Sequence, residues 1–332
     1  MRYIAGPMQT PLLWPFEQLS LPVLAASLGL IVAVVSGWLV RVDLRACGVQ
    51  PRWSPWISGL LGGLLAAGLT IAMLEFRCQE VRDVVPTEFW RNYRVLYHLT
   101  LLTLLVSITA TDLQTFYILD RSCLAGLLIG VSLATISGDL QMEHIWVDWS
   151  WEEPQLRPPW TPAWIAQHPH WHGLAWSLTG ALAGAGLTWV VRVLARWALD
   201  RPALGAGDVF LMAMIGSFLG WQATLIAFAL APVFAVAIGL VSRLYWRQAA
   251  LPYGPFLAAG AVVVLFAWRW ILMFEISLSG MPGADPRQNF ALRRFLGDPL
   301  LLGLVLGGAC LLMLLMLGFL RWYRSGSMEP RD

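Results

Sequence analysis

Along the chain, long apolar runs alternate with short polar joints, at a spacing that predicts a bundle of membrane-crossing helices. Nine runs stand out, at about 21–40, 56–74, 95–111, 123–138, 173–195, 208–221, 223–242, 254–274 and 299–320. Most approach the ~20 residues that a helix needs to cross the hydrocarbon core of a bilayer. The run opened by Asp208 is short, so it is expected to be tilted or held among its neighbours. Small residues recur inside the runs, as at Gly59, Gly62, Gly63, Gly180, Gly184 and Gly186. These predict close helix packing where lipid supplies no hydrophobic drive. The fold class expected is all-α, a polytopic transmembrane bundle of eight or nine spanning helices. Met1 to Leu13 lack the charged start and apolar core of a signal peptide, so the run from Leu21 reads as a retained helix.

Composition agrees with that pattern. The 332 residues are 58% hydrophobic and only 13% charged, against roughly 25% charged in soluble domains. A net charge of +2 gives no reason to expect nucleic-acid binding. All 22 basic residues are arginine, which excludes lysine chemistry. The four cysteines are scattered without a CxxC pair, so neither a thiolate zinc site nor a disulfide framework is expected. Arginines in short loops favour the cytoplasmic side for the 112–122 joint, with the N-terminus outside and the C-terminus inside.

Two polar stretches interrupt the helices. Asp139–His172 carries Trp146, Trp149, Trp151, Trp160, Trp164 and Trp171, which suits an interfacial belt on the exoplasmic side. Glu275–Asp298 reads as a second exoplasmic loop. His168, His170 and His172 would share one face of an extended strand, but Pro169 argues against a strand there and no metal site is expected. His98 reads as a packing or helix-to-helix hydrogen-bonding residue, and Arg192 and Arg196 as side chains snorkelling to the interface.

Ionisable groups at membrane depth are costly, which makes them functional candidates. Asp112 ends the third run, and Asp208 opens the sixth after Gly205-Ala206-Gly207. Because those two runs cross in opposite senses, both carboxylates are expected at one membrane face. Two close carboxyls tend to share one proton, which provides a base for water and an acid for a leaving amine. Gly205 and Gly207 leave room for a substrate backbone and allow unusual φ values. The bland alternative is that Asp208 simply caps a helix.

Three segments carry a family resemblance. Ala203–Leu211 with Ile215–Trp221 resembles the GxGD segment of the type IV prepilin leader peptidases. Ser107–Thr115 with Tyr117–Asp120 is similar to that family's first aspartate motif, and Pro252–Gly260 to a third stretch, all in the family's order. The resemblance implies that Asp112 and Asp208 are catalytic, with Gly205, Gly207 and Asp120 in support. It implies metal-free and cofactor-free cleavage of prepilin-like or pseudopilin precursors at the cytoplasmic face of the inner membrane. Phe210 stands where the family carries lysine, and Leu119 where it carries proline. The cysteine-rich loop linked to N-methylation has no counterpart, so methyl transfer is not implied. The expected organisation is an N-terminal hairpin and loop (1–94), a peptidase-like core (95–265) with the Trp-rich insertion 139–172, and a C-terminal loop and final helix (266–332). Two other readings stay open: a catalytically impaired relative acting as a scaffold, and, lower, a proton-coupled transporter.

Overall fold

The computed structural model describes residues 14–149, 159–199, 204–245, 252–276 and 289–326. In chain order its elements are α1 (Trp14–Gln18), α2 (Leu21–Ala46), α3 (Pro55–Leu74), α4 (Glu88–Thr115), α5 (Asp120–Ser137), α6 (Ala163–Gln167), α7 (Pro169–Leu199), α8 (Ala206–Tyr245) and α9 (Gly254–Leu272), followed by β1 (Glu275–Ile276), β2 (Phe290–Ala291), α10 (Leu292–Gly297) and α11 (Pro299–Gly326). Strands β1 and β2 form one small antiparallel pair. Eight helices among the described residues are long and apolar enough to cross a bilayer. The chain is an all-α multi-pass membrane protein.

Polarity decides which helices go inside. α4 carries Tyr97, His98, Thr103, Ser107, Thr111, Asp112 and Gln114, which would be costly against lipid. It is accordingly the most buried span, and all seven of these side chains are buried. α11 is uniformly apolar through its span and lies at the periphery, with Leu300, Leu304 and Leu312 exposed as lipid would require. Helices α2 and α3 meet through glycine: a Cβ on Gly63 would lie 2.6 Å from the Gly29 carbonyl, and one on Gly29 2.7 Å from that of Gly63. Gly186 has open space around it, so it is no packing glycine.

The sixth and seventh runs are one helical element, α8, broken at Gly220 (φ 76, ψ 169). Forty residues of straight helix would be about 60 Å long, twice the hydrocarbon thickness. The chain instead turns back. A Cβ on Gly184 of α7 would touch both the Met212 carbonyl and the Thr224 methyl. In a straight helix those residues would be about 18 Å apart. The arms 206–219 and 221–245 therefore pack side by side against α7.

At the end of the bundle away from Asp112, the 139–149 segment folds over the helix ends as a cap. The Trp221 Nε1 donates to the Ile145 carbonyl at 2.8 Å, and Gln222 Nε2 to that of His144 at 2.9 Å. Trp268 Nε1 reaches the Met142 carbonyl at 3.3 Å. Trp149 is 1% exposed and belongs to the core, not to an interfacial belt; Trp160, Trp164 and Trp171 are exposed, and Trp151 lies outside the described residues. The histidines share no strand, because His170 and His172 lie in α7. His172 Nε2 accepts from the Ile145 amide at 3.1 Å, while His170 Nδ1 lies 3.0 Å from the Thr135 carbonyl. His98 is fully buried, and its ring faces the Phe218 backbone of α8.

Candidate active site

Asp112 lies in the last turn of α4. Phe116, in the left-handed conformation (φ 56, ψ 29), stops the helix there, and its amide donates to the Asp112 carbonyl at 2.8 Å. A left-handed non-glycine residue costs about 1–2 kcal/mol, so this stop is held by its surroundings. On the facing side, the N-terminus of α9 presents Gly254. A Cβ there would lie 2.5 Å from Asp112 Oδ2, and the Gly254 amide faces that carboxylate. Only glycine leaves space for the Asp112 carboxyl in this position.

Asp208 lies in the first turn of α8. Its Oδ2 accepts from the Gly205 amide at 2.8 Å, the reach-back bond of a helix N-terminal cap. Neither Gly205 nor Gly207 has a positive φ, so the expected unusual backbone is not what glycine provides here. Gly207 instead permits a close approach: a Cβ on it would lie 2.7 Å from the Ile118 Cβ. Ile118 also packs on Gly254, with its Cδ1 2.9 Å from where a Cβ would be. The order of contact is thus Asp112, Gly254, Ile118, Gly207, then Asp208. The two carboxylates, 4% and 6% exposed, lie within electrostatic reach of one another at one end of the bundle.

Further charged side chains lie close to the pair. Asp43 of α2 is buried and accepts from Ser107 Oγ (3.1 Å), Ser122 Oγ (3.3 Å) and Arg121 Nη2 (3.3 Å), tying α2 to α4 and α5. It was missed because the first run was expected to end at 40, whereas α2 continues to Ala46. The signal was a carboxylate at the end of a span, the same signal that marked Asp112. Fully buried Cys123 lies within electrostatic reach of Asp43, Asp112, Asp120 and Asp208. Arg192 of α7, expected to snorkel, brings a positive charge to Asp208, and Tyr253 also lies near that carboxylate. Asp120 does not join the buried pair. It is exposed at the start of α5 and lines a separate pocket of about 540 Å³ with Tyr117, Leu119 and Arg121. Phe210 is 42% exposed, while Leu119 is buried.

Such an arrangement can hold one proton between two carboxyls and polarise a water, with the helix break at Phe116 and the glycine cradle fixing the geometry. No cluster of three metal-ligating side chains occurs among the described residues.

Residues 160–240 match the type IV leader peptidase family. The chain is also similar to proteins named prepilin leader peptidase/N-methyltransferase. One, from Burkholderia pseudomallei, is 37% identical over 95 residues, covering 27% of this chain and 30% of the relative. Another, from Escherichia coli, is 32% identical over 94 residues, covering 28% and 42%. A third, from Pectobacterium carotovorum, is 36% identical over 93 residues, covering 26% and 32%. The matched segment thus spans less than half the length of each of these relatives. No solved structure gives a significant match.

Proposed function

We propose, on the premise that this chain belongs to the type IV prepilin leader peptidase family, that it is a membrane aspartyl endopeptidase. Its substrates are prepilin-like or pseudopilin precursors, whose leader peptides it removes at the cytoplasmic face of the inner membrane. The observation that carries this reading is the convergence of Asp112 and Asp208, both almost fully buried and each against a glycine. In the mechanism proposed, the ionised member of the pair takes a proton from water as it attacks the scissile carbonyl. The protonated member passes its proton to the departing amine. Asp43, with Arg121 and Ser122, holds α2, α4 and α5 in register so that the α4 end stays in place. Arg192 offsets negative charge near Asp208, where Phe210 stands at the position that is lysine in the family pattern. The peptidase core is assigned to 95–265, which contains the matched segment.

The test is reconstitution in a host without its own processing enzyme, together with a prepilin-like substrate. Wild type is expected to shorten the precursor, while Asp112→Asn and Asp208→Asn leave it full-length. Cleavage that survives either substitution rejects the mechanism. Phe210 favours one second reading, a non-cleaving relative that binds precursors. Wild type that co-purifies with an uncleaved precursor would select it.

A further inference from the structure

At the Asp112 end of the bundle, a pocket of about 540 Å³ lies between the last turns of α2 and the first turn of α3. Two arginines of α2, Arg41 and Arg45, line it together with Gln50, Ser54 and Trp56, and no acidic side chain does. The joint that closes the pocket is fixed at both ends. Left-handed Gly48 (φ 67) stops α2, its amide donating to the Arg45 carbonyl at 3.0 Å and the Val49 amide to that of Leu44 at 3.1 Å. Further on, the Arg52 amide donates to Gln114 Oε1 of α4 at 2.9 Å.

Residues four apart share one face of a helix, so Arg41 and Arg45 stand one turn above the other. Asp43 lies between them in sequence but on another face, buried and taken by Ser107, Ser122 and Arg121. Neither Arg41 nor Arg45 makes an ion pair with a described residue. Like charges one turn apart repel, and an anion held between them removes that repulsion. A guanidinium fork meets phosphate oxygens in two parallel hydrogen bonds. The Ser54 hydroxyl, which makes no capping bond to α3, adds a donor to the lining.

Trp56 sets the depth of the pocket. It is 50% exposed and rests on Gly37, where a Cβ would lie 2.6 Å from its Cε3. An exposed indole on a membrane helix belongs at headgroup level. From Gly37, Arg41 lies about 6 Å and Arg45 about 12 Å further along α2, towards the aqueous side. That places the arginine pair at the lipid phosphates.

We propose that this pocket binds the phosphodiester headgroup of an anionic membrane lipid between Arg41 and Arg45, with the Trp56 indole against its glycerol and first acyl carbons. The proposal does not rest on the peptidase reading, whose mechanism uses none of these residues.

The test is thermal unfolding of the detergent-purified protein during titration with phosphatidylglycerol, phosphatidylcholine or inorganic phosphate, because a ligand of the folded state raises the midpoint. Each basic side chain at an anionic headgroup strengthens binding roughly fivefold. Phosphatidylglycerol is therefore expected to act at about 25-fold lower concentration than phosphatidylcholine. Arg41→Gln and Arg45→Gln, both on exposed side chains, are each expected to narrow that ratio to about fivefold. Arg196→Gln, which alters an exposed arginine of α7 outside the pocket, is expected to keep it. Unchanged ratios in both pocket variants, or an equal drop in Arg196→Gln, overturn the site. Inorganic phosphate acting at the same concentration as phosphatidylglycerol overturns the lipid as ligand. Should the pocket variants fail to fold, equal action of the two lipids on wild type overturns the proposal, and a clear preference for phosphatidylglycerol supports it.

Discussion

The smallest feature on which the active-site account depends is a missing methyl group. Gly254 and Asp112 come from helices that meet so closely that any Cβ at 254 would lie 2.5 Å from the carboxylate. Gly254→Ala is therefore expected to push the Asp112 carboxyl aside and lower kcat/KM for precursor cleavage by roughly 10- to 100-fold, with the thermal midpoint little changed. Unchanged kinetics would show that the carboxyl position does not matter. A second residue-scale expectation concerns the cap. Burial pushes the His144 imidazole from 6.5 down to about 4, so it is neutral when folded. Below 6.5 the unfolded chain binds the extra proton, and stability falls as pH drops from about 6.5 towards about 4. Burial pushes the neighbouring Asp83 and Glu143 carboxyls upward, so their contribution is present at low pH and lost as pH rises. Nearby Arg94 opposes protonation of His144 and favours ionised Asp83. His144→Gln should flatten the decline in unfolding midpoint between pH 6.5 and 4; an unchanged slope would remove His144 as its cause.

At the scale of elements, the reversal of α8 decides where Asp208 goes. Gly220 occupies a backbone region that is essentially glycine's alone, and a Cβ there would enter the Trp176 indole. Gly220→Ala should cost about 1–3 kcal/mol from backbone conformation alone, with the clash added, seen as a thermal midpoint lower by several degrees. A wild-type midpoint would contradict the tight reversal. This reversal was half legible in the sequence. Apolar runs at 208–221 and 223–242 meet within a residue or two of Gly220. Read as two separate crossings, they already required the chain to turn back there; which neighbour the two arms share, α7, was not legible, because hydropathy carries no record of contacts. α4 was legible as a span from 95 to 111, yet its polar face extends it from Glu88 to Thr115. The added N-terminal turns contain Arg94, whose Nη2 donates to the Asp139 carbonyl at 3.5 Å beside the cap.

Across the whole molecule, the two ends of the bundle do different work. One brings Asp43, Asp112 and Asp208 within electrostatic reach of Cys123, and the other seals itself with 139–149. The helical membrane architecture and the Asp112–Asp208 juxtaposition followed from apolar spacing and from the cost of charge in lipid. What escaped was lateral. Asp43, Arg192 and Gly254 join the site through helix neighbours distant in the chain, and the Trp-rich insertion turned inward at Trp149 because its polar groups close off helix ends.

The central claim is that Asp112 and Asp208 work as one unit, and its most direct measurement is kcat/KM for precursor cleavage by Asp112→Asn, Asp208→Asn and the double variant. The account predicts that each single substitution falls by roughly 10³-fold or more, and that the double falls no further, as residues acting together do. A single variant that keeps most of its activity, or a double whose loss is the product of the two single losses, would contradict it.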